Sequence, residues 1–271
     1  MKQTKPVCLH FHIFKNAGTT IEWTLQKNFS KNFISIDTDN PQGIINIEKI
    51  LDILRKNPRL KAISSHQIRF PIHNNEFEFI PILMIRHPID RVISIYQFQR
   101  KRTDANRPGI VKAKELDLNG YIKWNLGVKN HMAMKNFQVL FLSDKPASST
   151  ADIQDYQIAL QRLKECKIIG VVDRFDESLV VAEETLRDHF PKIDLSYVKQ
   201  NVSKRNESLE QSLKEGEKQI DKSILEKLLE SNMFDLKIYL EANHELDKRI
   251  KNTENFELKL TAFKERCKVL N

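Results

Sequence analysis

Residues 12–20 of the chain read His12-Ile13-Phe14-Lys15-Asn16-Ala17-Gly18-Thr19-Thr20. The apolar, β-branched and aromatic run from Val7 to Phe14 predicts a buried strand. Ile21, Leu25 and Phe29 follow at helical spacing. A strand, a short polar loop and a helix in this order are typical of phosphate sites, because the backbone N–H groups and the dipole at a helix N-terminus attract an anion.

The loop differs from a Walker A loop, in which Lys follows the last Gly and a hydroxyl group binds Mg²⁺. Here Lys15 precedes Gly18, so we expect its charge to approach an anion from the strand side. We expect Thr19 and Thr20 to offer hydroxyl donors and to cap the helix. From this loop alone, an ordinary strand-to-helix turn is an equally good interpretation.

Strands and helices alternate along the rest of the chain. Further strands are predicted at 32–37, 61–65, 79–85 and 167–172, and helices at 47–54, from 88, at 121–141, 153–163 and 176–190, and from 221 onward. Residues 97–117 are basic and are predicted to form a loop. The alternation predicts an α/β fold, a P-loop-like three-layer sandwich with a mostly parallel sheet, flanking helices and a helical C-terminal region. We expect one domain over residues 1–271.

Three chemically useful side chains, Lys15, His66 and Arg86, each stand at the carboxyl end of a predicted strand. Ligands of open α/β sheets bind beyond that edge, so the three residues form a site if their strands are neighbours. Ser94 lies two turns into the helix after Arg86, where both can converge on one anion. His66, with an ordinary pKa near 6.5, is a candidate general base.

Composition limits the classes of function. The 271 residues carry a net charge of +8, with basic and acidic residues interspersed, which suits an anionic ligand better than a nucleic-acid partner. Three cysteines without a Cys-x-x-Cys motif, and the lack of a paired acidic motif, predict neither a disulfide framework nor a metal site. The chain has no long apolar run and its N-terminus is too polar for a signal peptide, so we expect a cytoplasmic protein without stable membrane insertion.

Two segments resemble the carbohydrate sulfotransferases of the Golgi, which include the heparan sulfate 2-O and 6-O enzymes, and their bacterial relatives. The first is residues 12–20, similar to that family's His-Ile-Pro-Lys-Thr-Gly-Gly-Thr-Ser. The second is Arg86-His87-Pro88-Ile89-Asp90-Arg91-Val92-Ile93-Ser94-Ile95-Tyr96, similar to its Arg-Asp-Pro-x-x-Arg-x-x-Ser-x-Tyr. Weaker similarities lie at 130–132, 170–179, 201–204 and 232–239, so the resemblance spans about Val7 to Ile250.

The resemblance implies 3′-phosphoadenosine 5′-phosphosulfate (PAPS) as the cofactor. It implies that the 5′-phosphosulfate is held by the loop, that is by Lys15, Asn16, Ala17, Gly18, Thr19 and Thr20. It further implies that Arg86 and Ser94 hold the 3′-phosphate, that His66 is catalytic, and that Ser203 and Lys204 belong to a later cofactor-side loop. Lys15 can also act catalytically, because its charge would stabilise the leaving phosphate.

The leading hypothesis is therefore transfer of a sulfuryl group from PAPS to an acceptor hydroxyl, for which we expect a saccharide. A P-loop kinase or NTPase is the second hypothesis, although the chain lacks the Gly-Lys-Thr of such enzymes. A non-catalytic protein that binds anions or nucleic acid through its +8 charge is the third.

Overall fold

The computed structural model describes residues 4–40, 43–104, 107–128, 133–198 and 219–270. Its sheet contains five strands: β1 (Lys5–Phe11), β2 (Phe33–Ser35), β3 (Ala62–Ser65), β4 (Phe77–Ile85) and β5 (Ile168–Val171). The strand order is β2-β3-β1-β4-β5, and every neighbouring pair is parallel. The predicted α/β fold with a parallel sheet is confirmed.

Strand β1 lies at the centre of the sheet. Its Cys8 is opposite Ala62 of β3 on one side and opposite Ile80 of β4 on the other. Central parallel strands are buried on both faces, which explains the continuous apolar runs that predicted β1 and β4. The chain first adds β2 and β3 on one side of β1 and then β4 and β5 on the other. The loops after β3, β1 and β4 therefore lie side by side.

Helices follow or connect these strands. In the described ranges they are α1 (Gly18–Phe29), α2 (Ile47–Lys56), α3 (Pro88–Lys101), α4 (Pro108–Glu115), α5 (Leu118–Gly127), α6 (Phe137–Leu142), α7 (Ile153–Glu165), α8 (Phe175–Arg187), α9 (Lys222–Ser231), α10 (Met233–Asn252) and α11 (Phe256–Leu270). No helix among them combines the length and the apolar character that crossing a membrane requires.

Two apolar clusters hold the elements together. The larger one surrounds the sheet and includes residues of α1, α2, α8, α10 and α11. The smaller one joins α3, α4, α5 and α9 through side chains such as Val92, Tyr121 and Leu228. Phe14, from the loop after β1, packs against this smaller cluster, so the loop is anchored on the helical side of the molecule as well as on the sheet.

Two predictions for the middle of the chain are wrong. Residues 97–117 are largely helical, since α3 continues to Lys101 and α4 occupies Pro108–Glu115. Ile110 and Ala113 of α4 are three residues apart and buried, and this short apolar stripe outweighs the basic composition. The single helix predicted at 121–141 is instead two, because α5 ends at Gly127 and α6 begins at Phe137.

Helix α6 has only six residues and needs tertiary support, because so short a helix is unstable alone. Asp235 of α10 accepts hydrogen bonds from the N–H groups of Gln138 and Val139, at 3.1 and 2.9 Å. In return, the side-chain oxygen of Asn136 accepts from the N–H groups of Phe234 and Asp235, at 3.0 and 3.1 Å. Each helix start is thus capped by the other, and Gln138 is fixed in position.

We predict that Asp235→Ala destabilises the fold. Asp235 is fully buried, and its loss leaves two N–H groups without a hydrogen-bond acceptor, at a cost of about 1–3 kcal/mol each. Urea unfolding followed by circular dichroism measures the loss. The control is Asp247→Ala on the same helix, whose exposed pair with Arg174 contributes no more than about 1 kcal/mol. Equal losses in the two variants would contradict the capping role of Asp235.

Candidate active site

The loop Lys15–Thr20, called the anion loop below, has an unusual backbone. Strand β1 ends at Phe11, three residues earlier than predicted. Lys15 and Ala17 have φ angles of 67° and 60°, in the left-handed region. Such conformations cost about 1–3 kcal/mol for residues with a side chain and cluster at functional sites. Alternation of right- and left-handed residues turns successive N–H groups toward one concavity, which is a known way to bind anions.

Helix α1 begins directly after this concavity, at Gly18. Residue Ala17 is in the capping position and no side chain caps the helix, so the predicted capping by Thr19 and Thr20 is wrong; both lie in the first turn. Within the described residues, no hydrogen bond uses the N–H groups of Ala17, Gly18 and Thr19. These three donors at a helix N-terminus are available to an anion.

His12 lies directly beneath Gly18. A Cβ atom on Gly18 would lie 1.9 Å from Cδ2 and 2.0 Å from Nε2 of His12. The buried imidazole therefore occupies the space that a side chain would need, and only glycine allows this close approach. The His12 ring thus packs against the anion loop at Gly18.

Arg86 is bound to the anion loop from the end of β4. Its Nη1 donates to the carbonyl oxygen of Lys15 at 2.8 Å, and its Nε donates to Asp90 at 2.6 Å. The side chain of Gln138 accepts from the N–H of Arg86 at 3.0 Å and donates to its carbonyl oxygen at 2.9 Å. Arg86 is consequently fixed through both its side chain and its backbone.

Asn16 joins the same network and faces inward. Its amide nitrogen donates to the carbonyl oxygen of Met84 and to Gln138, both at 2.7 Å, and its N–H donates to Ile13. Because these bonds engage its donors within the protein, Asn16 positions the anion loop. Gln138, which the sequence analysis missed, therefore connects the loop to Arg86. The only signal for it was one polar residue in the apolar run of α6.

Arg91 and Ser94 of the second motif have different surroundings. Arg91 is fully buried and donates to the carbonyl oxygens of Phe14 and Ala133, so it supports the loop from below. Burial lowers the pKa of Arg91 to about 10, where it still carries its charge at neutral pH. Ser94 is half-buried on α3, on the helix that begins just after Arg86. In the described structure it makes no hydrogen bond to Arg86.

Lys15 supplies a positive charge at the anion loop. Its Nζ lies 4.5 Å from the centroid of the Phe98 ring, and it forms no ion pair with a carboxylate in the described part of the chain. Burial, together with repulsion from Arg86 and Lys101, lowers the pKa of Lys15 to about 8. An anion bound between these cations would favour the charged form of Lys15.

His66 follows β3, next to β1, as the sheet order requires. Its Nδ1 lies 2.6 Å from the carbonyl oxygen of His12, and its N–H donates to Asp37 at 3.0 Å. Because a carbonyl oxygen only accepts, the proton of neutral His66 is on Nδ1 and its Nε2 is a proton acceptor. Burial and the nearby His12 lower the pKa of His66 below 6.5, although Asp37 opposes them. The imidazole is thus neutral at neutral pH.

The predicted site residues are largely brought together. The strands that precede Lys15, His66 and Arg86 are adjacent, and His66 and Arg86 each bond to a backbone carbonyl of the segment 12–15. Ser203 and Lys204 lie outside the described residues, as does the segment 130–132, so their roles stay predictions.

Comparison with known proteins identifies the protein family of the chain. A family model described as "Sulfotransferase family" matches residues 2–240, which include all five strands and the anion loop. The chain therefore belongs to the sulfotransferase family. It is also similar to an uncharacterized protein of Archaeoglobus fulgidus, with 31% identity over 239 residues that cover 86% of this chain and 94% of the relative.

We predict that Gly18→Ala destabilises the protein by about 1–3 kcal/mol, because the added methyl group overlaps the His12 ring. The same substitution in a His12→Ala background should cost less, since the obstructing ring is gone. Gly127→Ala is the matched control, because a Cβ there would meet nothing within 4 Å. Chemical unfolding of the four variants measures the difference. An equal loss in both backgrounds would contradict the packing of His12 beneath Gly18.

Proposed function

We propose that this sulfotransferase uses PAPS and transfers its sulfuryl group to an acceptor hydroxyl, with a carbohydrate as the acceptor. One observation carries the proposal: an anion-binding backbone, a lysine without a carboxylate partner among the described residues, an arginine and a neutral histidine converge at the carboxyl ends of β1, β3 and β4. Two hydrogen bonds hold this arrangement together, from His66 to the carbonyl oxygen of His12 and from Arg86 to that of Lys15.

The residues present fit a bisphosphorylated nucleotide. The ammonium group of Lys15 would hold the 5′-phosphosulfate together with the N–H groups of Ala17, Gly18 and Thr19, for which the described residues provide no acceptor. Arg86 would hold the 3′-phosphate through Nη2, for which the described residues provide no hydrogen-bond partner, and Ser94 would add a hydroxyl donor. When bound, PAPS supplies an activated sulfuryl group.

Two side chains would then assist the transfer, one by accepting the proton of the acceptor hydroxyl and the other by stabilising the negative charge on the departing phosphate. Nε2 of His66 accepts the proton of the acceptor hydroxyl while its Nδ1–H stays bonded to the carbonyl oxygen of His12. Lys15 stabilises the negative charge that develops on the departing phosphate, and the desolvated surroundings strengthen this effect. Such stabilisation affects the rate more than ground-state binding.

The carbohydrate acceptor is supported by the resemblance of residues 12–20 and 86–96 to the carbohydrate sulfotransferases. The kinase or NTPase alternative is less well supported, because Lys15 precedes Gly18 and contacts the ring of Phe98. A nucleic-acid-binding protein would not need the strained loop or the fixed tautomer of His66. Peptide, lipid and small-molecule hydroxyls are the other acceptors that an experiment should include.

We predict that His66→Ala lowers kcat by about 10²–10⁴-fold, the typical contribution of a general base. Binding of 3′-phosphoadenosine 5′-phosphate, the desulfated product, should stay close to wild type. Because the imidazole must be neutral, the wild-type rate should fall as the pH decreases through the lowered pKa of His66, below 6.5. The measurement is transfer of radioactive sulfate from PAPS to a panel of saccharide, peptide, lipid and small hydroxyl acceptors.

His73→Ala is the control for this series, because His73 is a histidine in the loop between β3 and β4 and no role is proposed for it. More than about a tenth of the wild-type rate in His66→Ala, with the acid side of the pH profile unmoved, would contradict the assignment. Turnover with a peptide, lipid or small-molecule acceptor alone would contradict the carbohydrate acceptor and leave sulfuryl transfer standing.

A further inference from the structure

We propose that Glu22 is a positioning residue for the general base. It orients His12, and the His12 ring in turn positions His66 and packs against Gly18 of the anion loop. This inference rests on the proposed role of His66. Glu22 lies on α1, one turn after Gly18, and its side chain is 24% exposed.

Glu22 is the centre of a hydrogen-bond network. Its Oε1 atom lies 3.1 Å from Nδ1 of His12 and accepts from the hydroxyl groups of Ser35 and Ser64, both at 2.8 Å. Ser35 belongs to β2, Ser64 to β3, and His12 directly follows β1. One carboxylate thus links α1 to three adjacent strands of the sheet at the edge where the candidate site lies.

The network continues to His10 through Ser64. The hydroxyl of Ser64 donates to Glu22, so it accepts from Nδ1 of His10, which lies 2.8 Å away. His10, His12 and Glu22 place three possible metal ligands within 4.8 Å of one another. However, the Ser64 hydroxyl bridges His10 and Glu22, and His12 is already bonded to the carboxylate. The cluster is therefore a satisfied hydrogen-bond network, and we interpret it as a support for the site.

The carboxylate fixes the orientation of the His12 ring. Burial raises the pKa of Glu22, but hydrogen bonds from His12, Ser64 and Ser35 outweigh this effect and bring the pKa to about 2. An ionised carboxylate only accepts hydrogen bonds, so the shared proton lies on Nδ1 of His12. In this orientation the centroid of the His12 ring is 3.8 Å from that of His66, and its Nε2 edge lies under Gly18.

Several charged or titratable groups face His66. His10 approaches from β1, His12 from the position directly after it, Asp37 from the segment after β2, and Glu22 from α1. Nη1 of Arg69 donates to the carbonyl oxygen of His66. The carboxylates of Asp37 and Glu22 raise the pKa of His66, whereas His12 lowers it. Loss of the charge on Glu22 should therefore lower the pKa of His66 further.

The test compares Glu22→Gln with wild type in the full chain. Glu177→Gln is the matched control, because Glu177 is a half-buried carboxylate on α8 that pairs with Arg174 away from the network. Three quantities are measured: the pKa of His66 from the ¹³C-labelled histidine resonances, the affinity for the desulfated nucleotide by calorimetry, and kcat. His66→Ala assigns the resonance.

In Glu22→Gln we expect a lower pKa for His66 and a nucleotide affinity within about threefold of wild type. We also expect a loss in kcat of about tenfold or more, the scale found when the hydrogen-bond partner of a metal-bound histidine is changed, because the neutral amide both donates and accepts and so no longer fixes the proton on Nδ1 of His12. Glu177→Gln should leave all three quantities unchanged. A wild-type pKa for His66 and a wild-type kcat in Glu22→Gln would overturn the inference.

If Glu22→Gln does not fold, Glu22→Asp replaces it, since the shorter carboxylate keeps the charge and loses its reach to His12. A wild-type kcat in Glu22→Asp would also overturn the inference. The titration does not depend on turnover, so the outcomes separate the two proposals. A wild-type kcat in His66→Ala would contradict the proposal that His66 is the general base. A large loss of kcat in His66→Ala with no loss in Glu22→Gln would contradict only the positioning role of Glu22.

Discussion

Parallel pairing of β1 with β3 on one side and with β4 on the other is the constraint on which the candidate site depends. The register aligns Phe11 with Ser65 and with Leu83, so the three strands end at one edge of the sheet. Lys15, His66 and Arg86 each follow one of these ends within a few residues. Two backbone carbonyls of the segment after β1 then accept from His66 and Arg86, which turns a sheet edge into one connected site.

The strained anion loop is held from several directions. Two left-handed residues cost about 1–3 kcal/mol each, and the neighbouring contacts must offset this cost. Asn16 and Gln138 bond the loop to β4, Arg91 bonds to the carbonyl oxygen of Phe14, and the His12 ring fills the space beneath Gly18. Several of these groups are buried, where a satisfied hydrogen bond is costly to break. The protein's own contacts therefore hold the loop in this conformation, which would reduce the ordering that binding an anion requires.

The fold and part of the site follow from local patterns. The apolar runs that became β1 and β4, the helical spacing of Ile21 and Leu25, and Pro88 at the start of α3 all depend on nearby residues. These patterns predicted the parallel sheet and the common location of Lys15, His66 and Arg86.

The supports of the site could not be predicted in this way. Gln138 meets Arg86 across 52 positions of sequence, and Asn136 caps α10 across 98. A single sequence contains no signal for such pairs until the fold brings them together. The predicted threonine caps failed for a different reason, since Ala17 takes the left-handed conformation and moves the helix start to Gly18. No pattern in the sequence distinguishes Glu22 from the other charged residues of the helices, so its contacts with His12, Ser35 and Ser64 could not be predicted.

We propose that Arg86, directly after β4, recognises the second phosphate of a 3′,5′-bisphosphorylated adenosine. Calorimetry with 3′-phosphoadenosine 5′-phosphate and with adenosine 5′-phosphate tests this proposal directly in wild type, in Arg86→Ala and in the control Arg55→Ala. Arg55 lies on α2 and pairs with Glu76, outside the site. Wild type should prefer the bisphosphate by about 1.5–3 kcal/mol, the range of a charge-assisted hydrogen bond. Arg86→Ala should lose that preference and Arg55→Ala should keep it. Equal affinity of wild type for both nucleotides, or an equal loss for both in Arg86→Ala, would contradict the account.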